Sequence, residues 1–471
     1  LVLSRDRIGE NPVFYAARGG ALAFSDHPAP LLNAPFVSRR MDKTGLCELF
    51  ALGPARTPGR TPFADIRTLE PGCKLVAGGH GHRIVRYFRL EAREHPHGQK
   101  KTVETVRGLI EQAVSDIVPE NPGFMLSGGL DSTLLTALAA RRAPLRTWSV
   151  GYQEEARYFT GNDYQIERDD PFARRAAALL GAKHTRVELS SAALFEALTP
   201  AMRARGLPGM ADVDASLLLF GREIAQGERC VVSGECADEV FGGYPWFHRK
   251  ELTALDNFPW SGSLSLRASV LKASVREKLR LSEYAAARYH ESAARQPRLS
   301  GEGAHAARLR QIHGLCFSWF MPNLQERAVM TTAPSGLTVL TPFADERLVS
   351  YVYNVPWHLK TLYGQPKGLL RAAAEGLLPN DLRMRKKSPY PKTHHPEYTR
   401  RVCEQMACVL KNREEPINAF LDAEAVEGLM ASGLKPADTP WYGQLMTGPQ
   451  MIAYLLQIND WMKAYAVEPD F

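Results

Sequence analysis

The pattern of hydrophobic and polar positions divides the chain into two unlike parts. Up to about residue 90, short apolar runs alternate with turns, a pattern typical of short strands. The clearest of these runs are Leu1 to Leu3, Val13 to Ala16, Lys74 to Ala77 and Arg83 to Phe88. The stretch from Glu91 to Lys101 is charged and has no apolar period. It is predicted to be a linker between a domain of residues 1–92 and a domain of residues 102–471.

The second part alternates strands with helices. Thr102 to Val118 carries apolar residues at helical spacing. The runs that predict strands after it are Gly123 to Leu126, Leu145 to Gly151, Lys183 to Leu189 and Cys230 to Ser233. The helices predicted between them are Thr133 to Arg141, Pro171 to Leu180 and Leu217 to Ala225. This order predicts an α/β fold with a doubly wound parallel sheet. From about residue 264 onward the pattern predicts mostly helices.

The composition excludes several classes of protein. Of the 471 residues, 45% are hydrophobic and 23% are charged, which is close to the globular average. No run of about 18 apolar residues occurs, so no membrane-spanning helix is expected. The seven cysteines form no CxxC pair, which argues against a disulfide framework and a zinc site. A reduced, cytoplasmic compartment is therefore expected.

The net charge of +7 is a weak signal, because the basic residues are mostly dispersed. The one compact cluster consists of Arg383, Arg385, Lys386 and Lys387. A single short cluster is not the basic stripe that nucleic-acid-binding proteins present. We therefore expect no nucleic-acid partner, and two explanations of the cluster stay open, a phosphate site and a solvated basic turn.

A first chemical motif joins a predicted strand to a predicted helix. Its sequence is Ser127-Gly128-Gly129-Leu130-Asp131-Ser132. Adjacent glycines let the backbone approach a ligand closely, and the start of a helix favours an anion, phosphate above all. Asp131 would repel a bare phosphate but suits a site where Mg²⁺ lies between carboxylate and phosphate. The alternative is that Asp131 or Ser132 only caps the helix.

A second motif also follows a predicted strand, and it places three carboxylates within five residues. It starts at Ser233 and Gly234 and continues through Glu235, Asp238 and Glu239. If a helix starts near residue 236, Glu235 and Asp238 project to the same side. Ligands of open α/β sheets bind at the carboxyl ends of the strands. Asp238 and the aspartate of the first motif could then hold one metal from two sides. A solvated acidic turn is the alternative.

Together the two motifs resemble those of the glutamine-hydrolysing asparagine synthetases. The first resembles the pyrophosphate loop (PP-loop) of ATP pyrophosphatases, and the second is similar to the SGEGADE and FGGY signature of the synthetases. Lys367 to Arg371 and Arg385 to Tyr390 also look like segments of that family. Residues 4–15 resemble a segment in the second half of its N-terminal glutaminase domain. The resemblance implies a PP-loop domain with a helical C-terminal part, preceded by a partial glutaminase-type α+β sandwich.

The resemblance also implies a reaction. The β-carboxylate of aspartate attacks the α-phosphorus of ATP, which gives β-aspartyl-AMP and pyrophosphate. Ammonia derived from glutamine then attacks the acyl carbon and releases asparagine and AMP. The implied partners are aspartate, ATP and ammonia or glutamine, the implied cofactors are ATP and Mg²⁺, and no membrane is involved. A homodimer is compatible with the resemblance.

The resemblance assigns two catalytic residues. Lys387 is expected to stabilise the transition state and the leaving pyrophosphate, with Lys367 and Arg371 as helpers. Glu235 is expected to contact the reacting amine and to take its proton. The residues expected to bind ATP and its metal are Leu126, Val150, Ser233 and Gly234 at the adenosine, Ser127, Gly128, Gly129 and Ser132 at the phosphates, Lys367 beside them, and Asp131 and Asp238 at Mg²⁺.

The glutaminase nucleophile of the family is a cysteine directly after the initiator methionine. Cys47 and Cys73 are internal, so neither is expected to be that nucleophile. The first half of the glutaminase domain is expected to precede Leu1. The chain as given is therefore expected not to hydrolyse glutamine.

Two departures from the family pattern concern the substrate pocket. Val329 and Met330, and then Thr338 and Leu340, stand where the family has charge pairs. Their apolar side chains are expected either to be a covarying structural change or to alter the pocket. A third departure is Cys236, which replaces the usual glycine; a small residue fits that turn.

Three other functions remain open. The first is an adenylating synthetase that closes a lactam or macrolactam ring, which would keep the fold but change the acceptor. The second is a catalytically inactive scaffold, which the retained acidic and basic residues argue against. The third is a nucleic-acid-modifying ATP pyrophosphatase, which would share only the first motif. His184 is predicted to be a structural polar group, and the pair His394 and His395 to lie at the surface. The aromatic residues Tyr244, Trp246 and Phe247 are predicted to pack beside the active-site loop.

Overall fold

The computed structural model describes residues 1–79, 81–117, 121–161, 165–435 and 440–471. Its strands are β1 (Val2–Ser4), β2 (Phe14–Arg18), β3 (Ala21–Ser25), β4 (Arg40–Asp42), β5 (Arg67–Thr68), β6 (Cys73–Gly78), β7 (Gly81–Arg86), β8 (Gly123–Met125), β9 (Arg146–Tyr152), β10 (Lys183–Leu189), β11 (Cys230–Val232), β12 (Thr338–Leu340) and β13 (Glu468–Asp470).

The first eleven helices along the chain are α1 (Lys43–Cys47), α2 (Gln99–Ile117), α3 (Leu130–Ala140), α4 (Glu155–Tyr158), α5 (Asp170–Leu179), α6 (Ser191–Glu196), α7 (Leu198–Arg205), α8 (Asp212–Ala225), α9 (Ala237–Phe241), α10 (Lys250–Thr253) and α11 (Leu264–Ser269). The others are α12 (Ala273–Leu279), α13 (Leu281–Ala294), α14 (Ala304–Leu315), α15 (Met321–Thr332), α16 (Glu346–Tyr353), α17 (Trp357–Lys360), α18 (Gly368–Ala373), α19 (Asn380–Arg383), α20 (Pro396–Lys411), α21 (Ala423–Ala431) and α22 (Gly448–Ala464). Among the described helices, none is both long enough and apolar enough to span a membrane.

The central sheet has the strand order β10-β9-β8-β11-β12, and every neighbouring pair is parallel. From β8 the chain first builds outward to β9 and β10, and then returns to the other side of β8 with β11. The carboxyl ends of β8 and β11 therefore flank the point where the strand order reverses, which is where open α/β sheets bind ligands. The predicted α/β fold with a parallel sheet is confirmed.

The helix α2 shows why the sequence pattern gives these elements. Its buried residues are Thr102, Val106, Ile110, Ala113 and Val114, at intervals of three, four or one, so they form one face. That face packs against α3, α16 and α18. The helix begins at Gln99, three residues before the predicted start, and the predicted last residue, Val118, lies outside the described residues.

The strand β12 was not predicted, because it lies in the region that was expected to be helical. It has only three residues, and only Val339 among them is buried, so no alternating pattern could develop. It pairs with β11 at the sheet edge, and its Leu340 carbonyl accepts the N–H of Ser233 at 2.9 Å. The rest of the chain from α11 onward is mostly helical, as predicted.

The N-terminal part contains two antiparallel three-stranded sheets, β1-β6-β7 and β3-β2-β5. It shares one apolar core with the C-terminal helices: Phe63 packs on Trp461 with ring centroids 4.8 Å apart. The strand β13, near the end of the chain, pairs in parallel with β4. The two predicted domains are thus joined over a broad apolar contact, and the boundary at residues 92–102 remains a prediction.

Candidate active site

The first motif forms the loop between β8 and α3. Gly128 adopts a left-handed φ of +71°, and Gly129 is the N-cap of α3, where no side chain caps the helix. The Ser127 and Ser132 hydroxyl oxygens lie 3.2 Å apart. The alternative that Asp131 or Ser132 caps the helix is therefore wrong. The Gly129 N–H donates to the Ser127 hydroxyl at 3.3 Å, whereas the N–H groups in the first turn of α3 have no intrahelical partner and can bind an anion.

Gly128 is irreplaceable for a steric reason as well as for its φ. A Cβ at this position would lie 2.3 Å from the carbonyl carbon of Phe172 and 2.4 Å from the nitrogen of Ala173. Both are backbone atoms of α5, so they cannot move aside as a flexible side chain would. The glycine thus lets the phosphate loop lie directly against α5.

We expect Gly128→Ala to destabilise the fold by about 3 kcal/mol or more, because backbone overlap adds to the strain of a left-handed residue. The matched control is Gly181→Ala, since Gly181 has a similar φ of +61° but no atom within 4 Å of the added Cβ. We expect that control to cost about 1–2 kcal/mol, from strain alone. Urea unfolding of both variants measures the difference, and equal losses would contradict the overlap.

The second motif follows β11 and packs onto the first. A Cβ on Gly234 would lie 2.9 Å from the backbone nitrogen of Ser132, so glycine allows the two motifs to touch. Cys236 adopts a left-handed φ of +74°, a conformation that glycine takes without strain. This explains why the family usually has glycine there. The Cys236 side chain is buried, and burial raises the pKa of its thiol well above the ordinary value.

A cluster of two carboxylates and two ammonium groups lies between the motifs. The Lys367 Nζ is 2.6 Å from Asp131 Oδ2 and 2.9 Å from Asp238 Oδ1. The Lys387 Nζ is 3.3 Å from Asp238 Oδ2. Lys367 is itself held in a left-handed conformation, with a φ of +56°. Backbone strain of this kind is common at functional sites, where the surrounding structure imposes it.

The charges of this cluster are set by burial and by each other. Burial raises the pKa of Asp131, although the Lys367 ammonium opposes it. Burial acts on Asp238 as well, but Lys367 and Lys387 outweigh it and hold the pKa of Asp238 below its ordinary value. Burial would lower the pKa of Lys367, yet the two carboxylates raise it. Asp238 is therefore the firmly ionised carboxylate of the pair.

The two aspartates suit a magnesium ion that is shared with phosphate. The Oδ1 of Asp131 is buried and has no hydrogen-bond partner in the described part of the chain. In the described part of the chain, no group of three or more His, Cys, Asp and Glu side chains forms a metal cage. Mg²⁺ typically binds to one or two carboxylates and completes its shell with water and substrate phosphate. The donor set thus fits an ion that arrives with ATP.

Glu235 pairs with a residue that the sequence did not single out. Arg327 donates from Nη1 to Glu235 Oε1 at 3.0 Å, while the buried Oε2 has no partner among the residues that the structure describes. Burial raises the pKa of Glu235, although the guanidinium opposes it. The sequence signal that could have revealed Arg327 is the charged pair Glu326–Arg327 within the otherwise largely uncharged helix α15.

Of the two explanations for Val329, Met330, Thr338 and Leu340, the structure favours a covarying structural change. Within the described residues, none of these four lines the cavity that holds both motifs. Met330 is instead part of the apolar core. Arg327, on the same helix, does line the cavity and contributes a positive charge to it.

The basic cluster is not a solvated turn. Arg385 is buried, pairs with Asp169 at 2.7 Å and donates to the Ser127 carbonyl at 3.3 Å. Arg371 donates to the Arg385 carbonyl at 3.0 Å, so it holds this segment in place. Lys387 reaches the cavity, with its Nζ 5.3 Å from the centre of the Tyr244 ring.

One cavity, of about 1530 Å³ with its open mouth included, collects the predicted site residues. Those that line it are Leu126, Ser127, Gly129, Asp131, Ser132, Val150, Ser233, Gly234, Glu235, Asp238, Lys367, Arg371 and Lys387. Gly128 is the predicted ATP-binding residue that is not among the described residues lining the cavity. Sequence reasoning missed part of the apolar wall, which includes Met125, Trp148, Leu217 and Phe220. An apolar wall beside a polar, charged end suits a nucleotide, with a flat base at one end and phosphates at the other.

The histidines have structural partners. The two ring nitrogens of His184 lie 2.9 Å from the Thr147 hydroxyl and 3.0 Å from the Ser149 hydroxyl. His395 accepts the N–H of Glu397 at 3.1 Å and so caps α20. Of the aromatic residues, Tyr244 stacks on Trp246 at 4.3 Å. These contacts agree with the structural role predicted for His184 and the packing predicted for Tyr244 and Trp246. The surface position predicted for His395 is wrong, because its side chain is only 15% exposed and caps the helix.

Comparisons with known proteins agree with this geometry. A family model described as asparagine synthase matches residues 105–463, and one described as a glutamine amidotransferase domain matches residues 1–88. Asparagine synthetase [glutamine-hydrolyzing] 3 of Bacillus subtilis is 42% identical across 100% of this chain and 78% of its own length. Asparagine synthetase [glutamine-hydrolyzing] 1 of the same organism is 26% identical across 82% of this chain and 65% of its own length.

Among solved structures, NMN synthetase from Francisella tularensis matches 47% of this chain and 95% of its own with 15% identity, but its TM-score of 0.23 is too low to support an argument. The family evidence instead rests on the match to residues 105–463 and on the 42% identity over the full chain. This chain belongs to the asparagine synthase family.

Proposed function

We propose that this chain makes asparagine from aspartate and ATP through β-aspartyl-AMP, with ammonia derived from glutamine as the nitrogen source. The observation that carries the proposal is the single cavity in which an uncapped phosphate loop faces Asp131, Asp238, Lys367 and Lys387. A loop that can bind phosphate, next to two carboxylates and two ammonium groups, suits the transfer of an adenylyl group. Membership of the asparagine synthase family supports aspartate as the group that receives it.

The first step is the adenylation of aspartate. The substrate β-carboxylate oxygen forms a bond to the α-phosphorus of ATP, and the bond from that phosphorus to the bridging oxygen breaks. The N–H groups in the first turn of α3 and the hydroxyls of Ser127 and Ser132 bind the phosphates, and Lys387 neutralises charge on the departing pyrophosphate. Mg²⁺ held by Asp131 and Asp238 would supply further charge neutralisation.

The second step is the formation of the amide. The ammonia nitrogen forms a bond to the acyl carbon, and AMP leaves with the electron pair of the bond that breaks. The nitrogen must lose a proton as this happens. Glu235 is the residue suited to accept it, because it lines the cavity and its buried Oε2 has no partner among the described residues. Arg327 fixes the other oxygen.

Glutamine would deliver ammonia through chemistry that Cys47 and Cys73 do not provide. Burial raises the pKa of the Cys47 thiol to about 12 and also raises the pKa of Cys73. A protonated, buried thiol is a poor nucleophile. The sequence-based expectation that neither cysteine attacks glutamine therefore has a physical basis. A homodimer remains a proposal that rests on the resemblance, and a cytoplasmic setting one that rests on the cysteine pattern.

The test is pyrophosphate release from Mg-ATP by the purified chain, with and without aspartate, and with ammonia or glutamine as the nitrogen source. We expect release that requires aspartate, and asparagine formed in equal amount to AMP when ammonia is supplied. Release without any dependence on aspartate would overturn the proposed substrate and favour another acyl group, such as the precursor of a lactam. Failure to bind Mg-ATP would favour an inactive scaffold.

A further inference from the structure

A line of six charged side chains runs from the N-terminal part of the chain to the reaction site. In order they are Arg56, Glu326, Arg205, Asp214, Arg327 and Glu235. Cations and anions alternate, so the line carries no net charge. The side chains of Arg205 and Asp214, in its middle, are 0% exposed. Burying ions costs free energy, so this line of buried ion pairs is weak as a source of stability. The line is therefore expected to have a role in function.

Asp214 is the centre of this line. Its Oδ1 accepts from Arg327 Nε at 2.8 Å. Its Oδ2 accepts from Arg205 Nη1 at 2.9 Å and from the backbone N–H of Met210 at 2.8 Å. Both carboxylate oxygens are therefore fixed from opposite sides. Neither Asp214 nor Arg205 is among the described residues that line the cavity, so neither contacts the substrate directly.

The backbone closes tightly around the same pair. A Cβ on Gly209 would lie 2.1 Å from Asp214 Oδ2 and 2.7 Å from Arg205 Nη1. Only glycine leaves room for the ion pair at this point. The guanidinium of Arg205 also donates to Asn323 Oδ1 at 3.0 Å, so the group behind Asp214 is itself held in place.

The consequence falls on Arg327. Its Nε is held by Asp214 and its Nη2 donates to the Val213 carbonyl at 3.0 Å. With those two contacts made, the guanidinium plane cannot rotate, and its Nη1 meets Glu235 Oε1 in one orientation. The other oxygen of Glu235, a residue that lines the cavity, is buried and has no hydrogen-bond donor among the described residues.

We infer that Asp214, supported by Arg205, is a positioning residue for the amide-forming step. It fixes Arg327, and Arg327 fixes the carboxylate that accepts the proton from the incoming amine. The inference rests on the proposed function. It goes further by separating the two half-reactions: Asp214 serves the attack of ammonia and is not needed for the transfer of the adenylyl group.

The experiment measures both half-reactions in Asp214→Asn, which keeps the shape of the side chain and removes its charge. Aspartate-dependent exchange of pyrophosphate into ATP reports adenylation. Formation of asparagine from ammonia reports the complete reaction. We expect exchange within about twofold of the unaltered chain and asparagine formation lowered about tenfold or more, because removal of a positioning charge acts on proton transfer. Hydroxylamine is a stronger nucleophile than ammonia, so hydroxamate formation should be less affected.

A matched control is Glu302→Gln. Glu302 forms a similarly sheltered ion pair with Arg310, at 2.9 Å, away from the cavity. We expect this variant to change neither half-reaction. If both half-reactions fall by the same factor in Asp214→Asn, together with the melting temperature, Asp214 is only structural and the inference fails. Unchanged asparagine formation would also overturn it.

A second variant covers the case in which Asp214→Asn does not fold. Arg205→Met with Asp214→Asn removes both charges, which leaves the outer pairs Arg56–Glu326 and Arg327–Glu235 balanced. Replacement of a whole buried pair is tolerated better than loss of one partner. We expect the same selective loss of asparagine formation, and full activity would reject the inference. Absence of exchange in the unaltered chain would instead reject the proposed function, so the two failures are distinguishable.

Discussion

Asp238→Asn is expected to lower aspartate-dependent pyrophosphate release on the order of 10³-fold, at the upper end for loss of one preorganised charge in an active site. Asp238 contacts both lysines of the cluster, with Lys367 at 2.9 Å and Lys387 at 3.3 Å. Asparagine keeps the shape but leaves two ammonium groups facing one carboxylate. It also removes one of the two carboxylates proposed to hold Mg²⁺. Initial rates over a series of Mg²⁺ concentrations measure the loss.

The control for this prediction is Asp381→Asn. Asp381 also forms an ion pair, with Arg175, but its side chain is 45% exposed and lies outside the cavity. Exposed ion pairs contribute little to stability, so we expect release within twofold of the unaltered chain. Folding of Asp238→Asn is checked by its melting curve. A folded Asp238→Asn protein that retains more than a tenth of the rate would remove Asp238 from the proposed metal site.

The sequence predicted the location of the site because each motif follows a strand of the same sheet. Asp131 comes after β8 and Asp238 after β11, and these strands are neighbours. Parallel strands end at one edge of a sheet, so side chains more than 100 residues apart could be expected to meet. The structure brings both carboxylates to the one Lys367 ammonium. The roles assigned to these residues remain predictions that the variants test.

The sequence could not reveal the support behind Glu235. The contacts that fix Arg327 join it to Glu235, 92 residues away, and to Asp214, 113 residues away. No local periodicity or turn signal marks such pairs, because the helices α8 and α15 bring them together only when the core forms. The resemblance covered the residues expected to bind ATP, whereas the packing of these two helices depends on the whole chain.

The same reasoning explains why the N-terminal part was expected to stand apart. Its short strands and the charged linker both indicate a separate unit when they are considered locally. The structure instead joins β4 to β13, and Tyr454 of α22 donates to the Leu49 carbonyl at 3.0 Å. These contacts span more than 400 residues of sequence. The shared apolar core depends on contacts between residues that are far apart in sequence, and the local pattern of hydrophobic and polar positions does not reveal such contacts.

Lys387→Met is expected to lower kcat for pyrophosphate release by about 10²–10³-fold, with the KM for ATP nearly unchanged. The Lys367 ammonium forms ion pairs with both Asp131 and Asp238, at 2.6 and 2.9 Å, which hold it in place. Within the described residues, Lys387 forms one ion pair, with Asp238 at 3.3 Å, so its ammonium can follow the charge that develops on the departing pyrophosphate. A contact that strengthens only as charge develops acts on kcat and leaves ground-state binding largely intact.

The neighbouring Lys386 provides the matched control, since it carries the same charge at the mouth of the same cavity but is exposed. Lys386→Met should leave kcat within about twofold, because a solvated charge is screened. Steady-state kinetics with varied ATP separates the two possible roles of Lys387. If Lys387→Met raised KM and left kcat intact, Lys387 would bind the phosphates equally in both states, and stabilisation of the leaving pyrophosphate would have to come from Lys367 and the loop N–H groups instead.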